Sequence, residues 1–223
     1  LNNLAVVAYF QGDYAGAADR FAEIIPIWRA QLGDTHPNVL TVMNNLGAAR
    51  REAGDYEAAE SVLREVLRLR REVLGDDHPD IGQSLNNLGI VLELRGATAE
   101  AERTYREAVE SWRESLGDEH PTLAYGLVRL GRVLTETGRA AEAEAPLREA
   151  LRIREATLEP DNDLLASARA WLGLALVDQG SPEEGVELLD AALPALQERW
   201  GPDDDLVRRA RETLASRAEG AGT

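Results

Sequence analysis

The sequence predicts an all-α fold, an α-solenoid of about five antiparallel helix pairs with a further helix closing the stack. Three observations carry this expectation. The phrase Gly33-Asp34-Thr35-His36-Pro37 returns as Gly75-Asp76-Asp77-His78-Pro79 and Gly117-Asp118-Glu119-His120-Pro121, each 42 residues after the last. Glycine falls at 12, 54, 96, 138 and 180 at the same step. Leu1-Asn2-Asn3-Leu4 recurs as Met43-Asn44-Asn45-Leu46 and Leu85-Asn86-Asn87-Leu88, weakens to Leu127-Val128-Arg129-Leu130, and leaves Trp171-Leu172-Gly173.

Each unit reads as two helices. From Pro37 to Ala53, the residues Val39, Leu40, Met43, Leu46 and Ala49 recur at spacings of three and four, the mark of an amphipathic helix A. Gly54 ends it, because glycine adopts the left-handed cap conformation without steric cost. Asp55 then offers a capping oxygen to a longer helix B, whose apolar face is Tyr56, Ala59, Val62, Leu63, Val66, Leu67, Leu69 and Val73, up to Gly75. So short a turn forces A and B to pack antiparallel. Along helix B, the column Ala17, Ala59, Ala101, Ala143 and Gly185 stays small where backbones approach. The column Phe21, Leu63, Tyr105, Leu147 and Leu189 is bulky and fills the space between helices. The step places units at about 1–36, 37–78, 79–120, 121–162 and 163–202. A polar-backed helix at 203–218 carries Leu206, Val207 and Leu214, and the tail 219–223 is expected to be disordered.

Composition removes several functions. A net charge of −16 argues against nucleic acid, whose phosphates are met by clustered cations. With no cysteine there is neither a disulfide framework nor thiolate chemistry. The longest apolar run, Leu4 to Phe10, is too short to span a bilayer, so no membrane partner is expected and a cytoplasmic location is. The histidines are His36, His78 and His120, each before a proline in successive loops, too far apart to share one ion. They read as residues near helix caps. No Ser-His-Asp set, phosphate loop or metal-ligand spacing is present, so neither an enzyme nor a cofactor is expected.

Leu-Asn-Asn-Leu-Gly, Gly-Asp-Tyr, the small-residue column and Leu-Gly-Asp-x-His-Pro together resemble the tetratricopeptide repeat in its 42-residue form, the kind found in kinesin light chains and in many bacterial signalling proteins. The resemblance covers residues 1 to about 200 and departs in the fifth unit, where Glu159-Pro160-Asp161-Asn162-Asp163 replaces the Gly-Asp-x-His-Pro loop. It implies a right-handed superhelix whose A helices line an inner groove that binds peptides. It also suggests a fragment of a bacterial protein, either a protein-binding scaffold or a regulatory or oligomerising arm behind a serine/threonine kinase or switch ATPase.

In that groove the candidate peptide-binding residues are Asn3, Asn44, Asn45, Arg51, Asn86, Asn87, Tyr125, Arg129, Arg132 and Trp171. Asparagine is a mediocre helix former, so the repeated Asn pairs need a reason. One reading has their amides bonding to the next unit; the other has them pairing with a bound peptide backbone. Arg129 and Arg132 beside Tyr125 suit an acidic side chain on the partner, or else pair with Glu93 or Glu136. Trp171, with Leu174 and Val177, either takes a ligand side chain or packs under the last helix.

Overall fold

The computed structural model describes residues 2–220 and, among them, eleven helices and no strand. The A helices are α1 (Asn2–Phe10), α3 (Pro37–Glu52), α5 (Pro79–Leu94), α7 (Pro121–Glu136) and α9 (Asp163–Asp178). Their B partners are α2 (Tyr14–Leu32), α4 (Tyr56–Leu74), α6 (Thr98–Leu116), α8 (Ala140–Thr157) and α10 (Pro182–Trp200). The last helix, α11 (Asp205–Gly220), starts 42 residues after α9 does (205 − 163), in step with the A helices. It runs past the predicted end at 218, and residues 221–223 of the expected tail lie outside the described residues.

One glycine closure ends helix A in every pair, and in the first two pairs an aspartate also caps helix B. After α3, the Gly54 N–H bonds the Arg51 carbonyl at 3.0 Å and the Asp55 N–H bonds the Arg50 carbonyl at 2.9 Å, with Gly54 at φ +82°. That is a Schellman closure, which needs the left-handed residue that only glycine supplies cheaply. Asp55 then accepts the Ala58 N–H through its side chain, so one residue ends helix A and starts helix B.

The return from B to A explains the histidines. His36, His78 and His120 are the N-caps of α3, α5 and α7, their Nδ1 atoms accepting the N–H of Asn38, Asp80 and Thr122 at 3.1, 3.2 and 3.2 Å. The following proline takes the first helical position, where its missing donor costs nothing. In the fifth unit Asn162 does the same work for α9 through Oδ1, 2.9 Å from the Leu164 N–H. There Glu159 stands where Gly33, Gly75 and Gly117 stand, no left-handed residue is available, and α8 stops one residue short of its counterparts, capped by extended Leu158.

The helices form two compact units, Leu1–Ser115 and Leu116–Thr223. In the first, Ala5, Ala8, Ala17, Phe21 and Ile24 join Val42, Leu46 and Ala49 in one core, with α3 packed on the preceding B helix, α2. The bulky helix-B column fills the space between helices as expected, and what it meets there is a glycine column of the A helices, Gly47, Gly89 and Gly131. A Cβ placed on Gly47 would lie 2.7 Å from the Leu63 side chain, and one on Gly89 would lie 2.5 Å from the Tyr105 ring. In the second unit Gly131 abuts Leu147 in the same way, and α9 is buried along nearly its whole length.

Candidate binding surface

One side of the A helices in the first unit is built from three columns. Asn3, Asn45 and Asn87 stand in one, Val6, Ala48 and Ile90 in the next, and Phe10, Glu52 and Leu94 in the third. The third column is exposed at every repeat, through Glu136 and Asp178, so the 83 % exposure of Phe10 belongs to the position and not to its place in the order. Leu4 and Val7 are exposed for another reason. Their column mates Leu46, Leu88, Leu130 and Leu172, and Ala49, Val91, Val133 and Ala175, are all buried, Leu46 and Ala49 within the core that α2 shares.

Beneath Phe10 lies a pocket of about 330 Å³ lined by Val6, Tyr9, Phe21, Asn45 and Ala48. Tyr9 meets Phe10 edge-on at 5.8 Å and Tyr14 at 5.2 Å between ring centres, which fixes the rim. Arg51 pairs with Glu52 next to it. Burial and the Glu52 carboxylate push the Tyr9 phenol up, only partly countered by Arg51. A neutral phenol, an amide and apolar side chains make this pocket suited to a large uncharged group.

The Asn pairs divide their work. Asn87 donates to Asn44 Oδ1 at 2.9 Å and accepts from Gln83 at 3.2 Å, a ladder linking α3 to α5. Asn86 is buried, and its Oδ1 has no hydrogen-bond partner. Asn3 is exposed and Asn45 half-buried at the pocket wall.

In the second unit Tyr125, 45 % exposed, carries the Arg154 guanidinium 5.6 Å from its ring centre. Arg154 is itself buried, reaches the Leu164 carbonyl, and is pushed down to about 10 by that burial. Arg70 does the same in the first unit, donating to the Asp80 carbonyl at 3.1 Å and Ser84 Oγ at 2.7 Å. Its guanidinium is likewise lowered by burial, against the pull of Asp80. Arg129 and Arg132 are half-buried on α7. Trp171 is 6 % exposed, and Arg209 of α11 stacks 5.1 Å from its ring centre. The indole thus has a covering partner within the chain.

The opposite side of the B helices bears a charge register. Arg29 pairs with Glu65, Arg64 with Glu100, Arg71 with Glu107 and Arg148 with Glu184, each carboxylate 36 residues after its arginine. The missed signal was a constant offset of one period less six. Arg148 also holds Glu144 at 2.7 Å, and together with Gln179 keeps that carboxyl below its ordinary range; Arg148 lowers Glu184 as well. A carboxyl lowered by folding adds stability above its unfolded value of 4.5 and loses it as the pH falls through the folded value. Arg148→Gln should therefore cost up to about 1 kcal/mol at neutral pH, the scale of an exposed pair. Urea titrations should show that deficit closing in strong acid; a deficit independent of pH would remove this account.

Among the described residues no three His, Asp or Glu side chains gather as metal ligands, and no helix is long and apolar enough to cross a membrane. Comparison with known proteins gives three results. No curated protein sequence matches. Among solved structures, the chain is similar to two forms of a Podosopora anserina protein described as a kinesin light chain of nearly identical TPR-like repeats, each 22 % identical with TM-scores of 0.73 and 0.75. The first covers 89 % of this chain and 94 % of that one, and the second 88 % and 93 %. It is also similar to BtubC (BKLC) from P. vanneervenii, 20 % identical, with TM-score 0.75 and coverage of 90 % and 81 %. At these identities the likeness is one of fold. The tetratricopeptide repeat sequence family matches residues 1–72, 49–113 and 93–156, with a further match at 166–191. With its 42-residue helix pairs, Schellman links and small-against-bulky packing, the chain belongs to the tetratricopeptide repeat family.

Proposed function

We propose that this chain is a non-catalytic scaffold holding a segment of a partner protein against its A helices, with an uncharged bulky side chain of that segment anchored at Phe10. Tetratricopeptide repeats generally serve as protein-interaction scaffolds. The observation that carries the finer reading is Phe10 itself: a phenylalanine 83 % exposed, in a column that faces solvent in every repeat, standing over a pocket of about 330 Å³. An exposed aromatic on a rigid element beside an apolar recess is the usual form of a binding hot spot. Asn45 lines the recess and its amide can donate to and accept from a peptide backbone, as can that of the exposed Asn3; the amides of Asn44 and Asn87 are engaged in the joint between α3 and α5.

The acidic-partner preference expected from Arg129 and Arg132 is not carried forward, because Arg132 shares its cavity wall with Glu136, Asp204 and Asp205. Peptide-library selection against the whole chain should enrich segments with a large apolar residue. Phe10→Ala should weaken the selected peptides by on the order of thirtyfold, about 2 kcal/mol, without lowering the melting temperature. Unchanged affinity in that variant, or no selection at all, would remove the reading.

A further inference from the structure

The first helix pair presents an apolar face whose natural cover is specified by the pairs that follow. Leu4 is 60 % exposed and Val7 49 %, side by side at i and i+3 on α1. In the second pair the corresponding Leu46 and Ala49 are buried in the core that α3 shares with Phe21 and Ile24 of α2. No described helix occupies that position over α1. A helix seated there meets α2 as well, because successive B helices are joined by charge. Arg29 of α2 holds Glu65 of α4 at 2.7 Å, and Arg71 of α4 holds Glu107 of α6. Glu23 of α2 stands 42 residues before Glu65 (65 − 23), is exposed, and has no ion pair among the described residues. The same end of the molecule thus offers an uncovered apolar stripe and an unclaimed carboxylate, in the register that α2 and α4 satisfy further along.

We propose that the α1–α2 end docks an amphipathic helix of a partner protein, one with apolar residues eight, five and four positions ahead of an arginine. The pattern is that of the helices filling this place elsewhere: Phe21, Ile24 and Ile25 precede Arg29 at those distances (29 − 21, 29 − 24, 29 − 25), as Leu63, Val66 and Leu67 precede Arg71. Such spacings form one stripe on a helix, which lies on Leu4 and Val7 while the arginine, one turn further on, reaches Glu23. The stripe supplies affinity, and the ion pair sets register and sign. A second copy of the chain supplies no such helix, because the bulky residues of its B helices, Phe21, Leu63, Tyr105, Leu147 and Leu189, are already buried. The Leu4–Val7 face is distinct from the Phe10 column, so the proposal stands apart from the anchor described above.

The test takes a labelled synthetic peptide of residues 56–74, the α4 sequence, as the docking helix and titrates it with the whole chain. Binding should be saturable. Leu4→Gln combined with Val7→Gln should weaken it by about tenfold or more; both side chains are exposed, so no core is disturbed. Glu23→Arg should weaken it several-fold, the scale of an exposed pair. The peptide carrying Arg71→Glu should reverse that order, binding the Glu23→Arg chain more tightly than the wild type. Phe10→Ala should leave the affinity unchanged. Absence of binding, equal affinity for wild type and the Leu4, Val7 variant, or a charge reversal that restores nothing would overturn the proposal. So would a dimer of the chain in sedimentation that the Leu4, Val7 variant dissolves, since a second copy would then be the occupant.

Discussion

Trp112→Ala should be the most damaging single truncation in the first unit, lowering stability by about 3–5 kcal/mol. The ring is buried, and its N–H donates to the Pro79 carbonyl at 3.2 Å. It also lies so close over Gly82 that a Cβ there would come within 2.6 Å of it. Removing it opens a cavity at the first turn of α5, where helix A is joined to its own helix B. The backbone there has no side chain at Gly82 to fall into the space. Trp112→Phe separates the two contributions, since it retains most of the volume and loses only the N–H bond, for about 1 kcal/mol. Urea unfolding of the three proteins measures both. A loss below about 1 kcal/mol for the alanine variant would mean that α6 can collapse onto α5, and the packing account of this joint would fall.

The second large effect is expected from adding a single carbon. Gly173 of α9 and Gly185 of α10 face one another so closely that a Cβ on the first would lie 2.8 Å from the Gly185 carbonyl oxygen, and one on the second 2.7 Å from that of Gly173. At Gly47 and Gly131 the obstacle is a leucine side chain, which can shift; here it is backbone, which cannot move unless the helices part. Gly173→Ala should therefore destabilise by about 1–3 kcal/mol or more, although alanine is the better helix former by about 1 kcal/mol. Once the helices have separated, a second methyl costs little. The double variant Gly173→Ala, Gly185→Ala should thus melt well above the temperature that additivity predicts. A single variant more stable than wild type would show that the two helices have slack.

The fold was legible because its rules are local and repeated. Gly54, Asp55 and Pro37 each act within a few residues of backbone, and the 42-residue step shows each of them several times. The candidate surface was less legible, because it depends on what stands opposite. The columns identify Asn87 as groove-facing, but only the structure shows that its amide is taken by Asn44 and Gln83. Trp171 reads equally as a ligand site or as packing under the last helix, and Arg209 of α11 lying over its ring accords with the second. Tyr125 was read with Arg129 and Arg132, whereas the cation over its ring is Arg154. The column Trp28, Arg70, Trp112, Arg154 and Leu196 would have pointed to it, since a buried position that accepts tryptophan and arginine alternately calls for a flat side chain with an N–H donor. Phe10 was passed over as part of an apolar run, because exposure at one position is visible only by comparison with Glu52, Leu94, Glu136 and Asp178.

The arginine-to-glutamate register on the B helices bears on how such a chain can grow. The second repeat contains both Arg64 and Arg71, which reach forward, and Glu65, which is reached from behind by Arg29. The second cassette therefore carries plug and socket together, and a tandem duplication that copies that whole period creates a new junction already matched in charge. Cuts elsewhere in the period would split the pair and set like charges face to face. Asp190 stands in the column of Arg64 and Arg148, so a copy of the third cassette spliced in after the fifth would bring its Glu100 opposite an acid in place of the Arg64 it pairs with. Insertions should be tolerated between interior cassettes and resisted there.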